Sequence, residues 1–245
     1  MRTIKLTIQY DGTAYVGWQI QPKGLTVQGV IEEKLKGLTG EAVRLTAASR
    51  TDAGVHAMGQ VAHFKTKSRL NAKAIQRALN SLLPTDIAIL KVEMAPETFH
   101  ARKDARSKLY EYRILNEEVR SVFHRLYAWH VPYHLDLQEM KRATEFLVGE
   151  HDFSAFRSTG TPTRTAVRKV ITAEWKKGRE GLLYFEIEGT AFLKQMVRTI
   201  VGTLVEVGKG KIDSEGFQKI LRSKDRSQAG PTAPPHGLFL KEVRF

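Results

Sequence analysis

The chain is 245 residues long and 42% hydrophobic, enough for one large domain or two ordinary ones around a buried core. Lys and Arg number 39 against 26 Asp and Glu, a formal net charge of +13 that calls for an anionic partner, nucleic acid first and anionic membrane second. The absence of cysteine excludes disulfides, zinc–thiolate and iron–sulfur sites, a thiolate nucleophile and the cysteine-liganded zinc deaminases.

In chain order, Ile4, Leu6, Ile8 and Tyr10 alternate with polar residues and predict a half-buried strand, ended by Asp11-Gly12-Thr13. That start is unlike a signal peptide, and no apolar run approaches the ~20 residues of a membrane span, so a cytoplasmic protein is expected. Val27, Val30, Ile31, Leu35 and Leu38 have helical spacing. Val43 to Ala47 reads as a second strand, a loop covers Ser49 to Ala57, and a third strand follows at about Gln60–Thr66. Asn71 can cap a helix through Leu82, with Pro84 just beyond, and Ile87 to Val92 is a short strand.

Ala95 to Lys108 holds few large apolar residues and the basic cluster Arg102, Lys103, Arg106 and Lys108, which sets an expected boundary between halves 1–105 and 106–245. Beyond it the pattern predicts a strand at Leu109–Leu115, a helix at Leu137–Val148, a strand pair at Thr165–Trp175 and Leu182–Gly189, an apolar helix at Lys194–Val207, a helix around Phe217, Ile220 and Leu221, and a last strand at Leu238–Phe245. Strands and helices alternate similarly in both halves, which suggests two related α/β halves around a shared sheet. The charge is shared too: 15 basic against 9 acidic residues in the first half, 24 against 17 in the second. This is the distribution of a common basic groove, not of a basic tail. Arg157 to Arg168, rich in Ser, Thr, Gly and Pro with three arginines, reads as a surface loop or as a basic loop that clamps RNA.

The chemistry concentrates in Arg50-Thr51-Asp52-Ala53-Gly54-Val55-His56. Asp and Gly in a loop between strands serve turn geometry alone in most proteins. Here Arg50 and Asp52 stand two apart, so extended backbone points both the same way, and Gly54 permits a sharp turn just after. An Asp held near an Arg stays ionised at neutral pH, ready to attack an electrophile or take a proton.

Ala48-Ser49-Arg50-Thr51-Asp52-Ala53-Gly54-Val55-His56-Ala57 resembles the active-site signature of the bacterial tRNA pseudouridine synthase A family. The likeness extends over essentially the whole chain. It continues through Tyr10-Asp11-Gly12-Thr13, Gly17-Trp18-Gln19, Thr98-Phe99-His100-Ala101-Arg102, Tyr110-Glu111-Tyr112-Arg113-Ile114, His151-Asp152-Phe153-Ser154-Ala155-Phe156-Arg157, Phe192-Leu193-Lys194-Gln195-Met196-Val197-Arg198 and Gly237-Leu238-Phe239-Leu240. Ser49 departs from the glycine common in that signature, which touches loop geometry and not the chemistry.

The resemblance implies a mixed α/β (α+β) fold with a largely antiparallel central sheet, flanking helices and two similar halves around a basic cleft with Asp52 at its floor. It implies isomerisation of uridine to pseudouridine at positions 38 to 40 of the tRNA anticodon stem-loop, without metal or cofactor, by a homodimer that binds tRNA across both subunits. Asp52 is then the essential carboxylate, either attacking covalently or removing a ribose C2′ proton. Arg50 holds the flipped nucleotide, pairs with Asp52, or both. Tyr110 stacks on the target base, an arrangement that tolerates a rotating base, whereas Tyr112 reads as a core aromatic. Arg198 keeps Asp52 ionised. Arg102, Lys108, Arg157, Arg164, Arg168 and Lys194 complete the expected RNA-binding set.

Other motifs are weaker. Gly208-Lys209-Gly210 lacks the Ser or Thr of a phosphate loop and follows a predicted helix instead of opening one. His130 and His134 have a metal-like spacing broken by Pro132, and His56 and His63 read as structural or RNA-contacting. The competing functions are an RNA-binding module with a dead active site and a nucleotide- or membrane-surface-binding protein.

Overall fold

The alternation at the start of the chain becomes strand β1 (Arg2–Tyr10), with Ile4, Leu6 and Ile8 fully buried. The computed structural model describes residues 1–158 and 164–245, so part of the expected basic loop, residues 159–163, lies outside the described residues. Two units result: Met1–Arg106 with Phe239–Phe245, and Ser107–Leu238.

In the first unit β1 pairs antiparallel with β3 (His56–Thr66) on one side and with β4 (Ile87–Ala95) on the other. The chain's last strand, named β10 in chain order (Leu238–Arg244), returns to lie parallel to β3, Phe239 opposite His56. Helices α1 (Val27–Thr39) and α2 (Ala72–Leu82) complete this unit. Asn71 caps α2 by accepting the Ala74 N–H, as its position predicts. Where β4 shifts register against β1, Asn80 of α2 takes over the ladder's work: it accepts from Ile89 N–H and donates to Ile89 O.

The second strand expected at Val43–Ala47 shrinks to β2 (Thr46–Ala47). The reason lies on α1, where Glu32 accepts the Leu45 N–H at 2.7 Å and Gln28 donates to Leu45 O at 3.2 Å. The backbone groups a strand would have offered to the sheet are spent on helix side chains, which periodicity cannot reveal.

In the second unit β5 (Ser107–Leu115), β9 (Leu182–Gly189), β8 (Val167–Lys177) and β7 (Gly149–Asp152) follow one another antiparallel, and the short β6 (Trp129–His130) lies parallel to β5. The helices are α3 (Leu137–Glu145), α4 (Met196–Gly208) and α5 (Ser214–Ser223). α4 is buried on nearly every side, the mark of a core helix. α3 ends at Glu145, short of the expected Val148, because the chain tightens there (Leu147 N–H to Thr144 O, Val148 N–H to Glu145 O) and then enters β7. α4 likewise starts two residues after Lys194, since Gln195 adopts the left-handed conformation at φ 61°. Both units are mixed α/β with mostly antiparallel pairing, as the resemblance implied.

Candidate active site

Asp52 lies on the loop that carries the chain from β2 into β3. The loop leaves the sheet under tight control: Ala48 N–H donates to Val61 O, and Gln60 brackets Ser49, accepting its N–H and donating to its O at 2.7 Å. Ser49 has no positive φ, so serine costs no backbone strain where glycine is usual.

Along Arg50-Thr51-Asp52 the exposure alternates as extended backbone requires: Arg50 exposed, Thr51 buried, Asp52 half-buried. Thr51 is the pin. Its hydroxyl lies 2.8 Å from the Tyr10 hydroxyl at the end of β1, and its carbonyl accepts the Trp18 N–H. With Thr51 fixed inward, Arg50 and Asp52 face out together.

The turn after Asp52 is pinned by the chain's opening loop. Val55 N–H returns to Asp52 O, and Gly54, at φ 74°, donates to Tyr15 O. Gly12 lies so close that a Cβ on it would stand 2.0 Å from Val55 O; at Gly17 one would stand 2.7 Å from Thr51 O. His56, only 1% exposed, closes the arrangement: Nδ1 accepts the Gly12 N–H at 3.0 Å, with Asp11 Oδ1 at 3.1 Å, and the ring stacks on Phe239. Tyr10, Gly12, Gly17 and His56 are thus the supports of the Asp52 loop. Their signal in the sequence is the pair of glycines in Asp11-Gly12-Thr13 and Gly17-Trp18, which the close backbone approach at both and the φ of 106° at Gly17 account for.

Also in the first unit, Arg102 is exposed on the turn after β4. That turn is fastened by two histidines: His63 Nδ1 accepts the Ala101 N–H, and His100 Nδ1 accepts the N–H groups of Arg102 and Lys103. Burial first, and then the neighbouring His100, hold the His63 ring below the usual imidazole range, so it serves as an acceptor. His56 and His63 are both structural supports.

In the second unit, Tyr110 sits on β5 opposite Ile187, 6% exposed, with its ring edge-on to Phe192 at 5.1 Å. Tyr112 is fully buried and donates to Pro234 O, and burial pushes its hydroxyl far above the usual range, as befits a core aromatic. Lys108, on the same strand, is half-buried. Arg198 is half-buried in the first turn of α4; its Nε donates to Ala233 O at 2.8 Å while Ala233 N–H donates to Arg198 O at 3.1 Å. Burial first, then the Arg198 guanidinium, lower the pKa of His236, against a hydrogen bond with the Ala128 backbone that raises it. Arg157 is brought beside Lys194 in the chain path by the bond from Ser158 N–H to Lys194 O. Arg164 is exposed, and Arg168 on β8 turns back to donate to Thr165 O and Val167 O.

The weaker motifs resolve. Gly208-Lys209-Gly210 ends α4, with Gly210 at φ 72°. His130 Nε2 pairs with Glu117 O, and no cluster of three or more metal-binding side chains occurs among the described residues. No helix of the described residues is long and apolar enough to cross a membrane.

The chain is similar to known proteins along most or all of its length. The sequence model of a family described as tRNA pseudouridine synthase matches residues 6–104 and 143–245. Curated relatives called tRNA pseudouridine synthase A are 46% identical in Thermoanaerobacter sp. (strain X514) and 48% identical in Geotalea daltonii, each over the full length of both chains. The relative of that name in Myxococcus xanthus is 46% identical over all of this chain and 92% of its own. Among solved structures, an H/ACA ribonucleoprotein bound to a substrate RNA containing 2′-deoxyuridine aligns over 82% of this chain and 44% of its own, at 16% identity and a TM-score of 0.35, a distant likeness on which nothing about the site rests. On a family match that covers most of the sequence and relatives that align end to end, the chain belongs to the tRNA pseudouridine synthase family.

Proposed function

We propose that the chain isomerises uridine to pseudouridine at positions 38 to 40 of the tRNA anticodon stem-loop, with the Asp52 carboxylate as its catalytic group. Family membership over the full length supports the reaction. The observation that carries the role of Asp52 is its half-exposed position on a loop pinned at Thr51, Val55 and His56. A reacting group must be reachable and held in a fixed direction, and a loop braced on both sides meets both needs.

The reaction breaks the ribose C1′–N1 bond, turns the base and forms C1′–C5; C5 gives up its proton and N1 gains one, so no second substrate is consumed. The carboxylate attacks the sugar covalently or takes the C2′ proton to give a glycal-like intermediate. The target nucleotide must first leave its stack, at a cost of roughly a few kcal/mol. Exposed Arg50 is suited to fill the space and hold the extruded nucleotide. Tyr110, whose ring meets Phe192 edge to face, is assigned to stack on the base and to take the C5 proton. Arg198, fixed through its Nε, supplies a permanent cation to the reaction. Arg102, Lys108, Arg157, Arg164, Arg168 and Lys194 neutralise RNA phosphates. The protein acts as a cytoplasmic homodimer with tRNA bound across both subunits.

The test uses a tRNA transcript carrying C5-tritiated uridine. Wild type releases one tritium per pseudouridine formed, and Asp52→Asn loses turnover while binding tRNA within about threefold of wild type. No tritium release from wild type, or turnover surviving in Asp52→Asn, would refute the proposal.

A further inference from the structure

No acidic residue occurs between Asp52 and Asp86, yet this stretch carries Lys65, Lys67, Arg69, Lys73 and Arg77, all exposed. They are not equivalent. Lys65 lies opposite Thr3 on β3, on the sheet face shared with Lys5 and His63. Lys67 has Glu41 beside it, whose carboxylate accepts the Lys67 N–H and is held below the usual carboxylate range chiefly by that bond. Arg69, Lys73 and Arg77 recur every fourth residue, and among the described residues none of the three side chains is ion-paired.

Two features of α2 make this arrangement unfavourable for the protein alone. Lys73 and Arg77 are neighbours at i and i+4, where like charges repel. Lys73 also stands in the first turn, where the helix dipole repels a cation, and that turn has no acidic residue to compensate. The two cations flank a shallow hollow lined by Asn71, Ala72 and Ala74. A polyanion laid across them reverses both penalties.

We infer that Arg69, Lys73 and Arg77 form a second docking surface for the RNA backbone, engaging tRNA phosphates outside the stem-loop that carries the target uridine. This rests on the tRNA reading above. The placement follows from β3: Asp52 precedes its first residue and Arg69 follows its last, and eleven residues of strand span ~33 Å. That is more than one full turn of an A-form RNA stem, whose turn is shorter than that of B-DNA. A hairpin with half a turn of stem, bound at Asp52, falls short of α2; the body of a folded tRNA does not. Side chains that meet only phosphates set register and affinity without reading sequence, so the surface orients substrate and leaves the choice of uridine to the site.

The experiment compares wild type with Arg69→Gln/Lys73→Gln/Arg77→Gln in the full chain, using a full-length tRNA transcript and the isolated anticodon stem-loop of the same sequence. For tRNA, the plot of log affinity against log salt becomes shallower by roughly two to three units, about 0.7–0.9 for each phosphate no longer neutralised. Stem-loop affinity and kcat at saturating tRNA stay at wild-type values, and the thermal midpoint is unchanged or raised because the repulsion is gone. An unchanged salt slope for tRNA, or an equal loss on the stem-loop, overturns the inference. Loss of binding to phosphatidylserine-containing vesicles with the tRNA slope intact overturns it in favour of a membrane surface. Failure of the tRNA reading itself is recognised separately, as wild type that forms no pseudouridine.

Discussion

Gly12→Ala isolates what the support of the Asp52 loop contributes. The added Cβ would lie 2.0 Å from Val55 O and 2.6 Å from Val55 C, where real Cβ contacts do not fall below 3.0 Å, so one of the two loops must recede by about 1 Å. Neither obstacle is a side chain that can swing away: both atoms belong to the backbone of the turn whose first carbonyl is that of Asp52. Retreat also draws Gly12 N–H away from His56 Nδ1. Overpacking of this kind costs about 1–3 kcal/mol. In a chain of this size that lowers the melting temperature by roughly 2–12 °C. A displacement of about 1 Å at a catalytic group costs on the order of a hundredfold in rate. Single-turnover tritium release at saturating tRNA, beside a tRNA binding titration and a thermal melt, separates these effects. Gly12→Ala should bind tRNA within about twofold of wild type, melt a few degrees lower and turn over about a hundredfold more slowly. A variant that melts lower yet keeps its rate would show that the opening loop does not set the position of Asp52, and the reasoning would fail.

Thr51→Val should lower kcat about tenfold with KM nearly unchanged and cost about 1 kcal/mol of stability for the lost hydroxyl bond, while Thr51→Ser restores the rate; kinetics on the three proteins decide it. Arg198→Lys keeps the charge but cannot keep both the Ala233 bond and the direction of the guanidinium, so kcat should fall with tRNA affinity little changed, checked in the tritium assay. The depressed pKa values of His63 and His236 have a definite sign. The folded chain holds both rings neutral where the unfolded chain protonates them, so their stabilisation is complete above about pH 6.5 and declines as pH falls through the folded values. Melting temperature should therefore drop between pH 7 and pH 5, and His63→Asn should flatten that drop; an equally steep decline in the variant would exclude His63 as a source.

The catalytic candidate was legible in the sequence because its requirements are local. Arg50 and Asp52 two apart, with Gly54 after them, specify an outward-facing pair before a tight turn, and the exposures of Arg50, Thr51 and Asp52 follow that pattern. What the sequence could not express is which distant segment braces the loop. Tyr10 and Thr51 are 41 residues apart, and Gly12 and His56 are 44 apart. Each reads locally without its partner: Tyr10 as the apolar end of a strand, Gly12 as a turn residue, His56 as a structural or RNA-contacting histidine. The misplaced elements fail for the same reason. Val43 to Leu45 has the pattern of a strand, but Glu32 and Gln28 of α1 capture the Leu45 backbone. Leu137 to Val148 has helical spacing throughout, and only β8 waiting alongside draws Gly149–Asp152 out as a strand.

This division explains why the opening glycines belong to the same chemistry as the aspartate although they touch no substrate atom in the proposed reaction. A carboxylate on a loop is reachable but mobile; one within the sheet is rigid but closed to RNA. At Asp52 the conflict is settled by letting the side chain project from a loop while the backbone on either side is fixed to β1 and the opening loop, through Thr51 before it and through Val55 and His56 after it. The Tyr10–Thr51 hydroxyl contact and the His56 imidazole then hold the backbone around Asp52 where no strand ladder reaches it. The consequence is that substitutions at Tyr10, Gly12, Thr51 and His56 should act on kcat and leave tRNA binding largely untouched, whereas neutralising exposed cations such as Arg102 should do the reverse. If both classes moved binding and turnover together, the support and the RNA surface would be one mechanical unit and this account of the loop would be wrong.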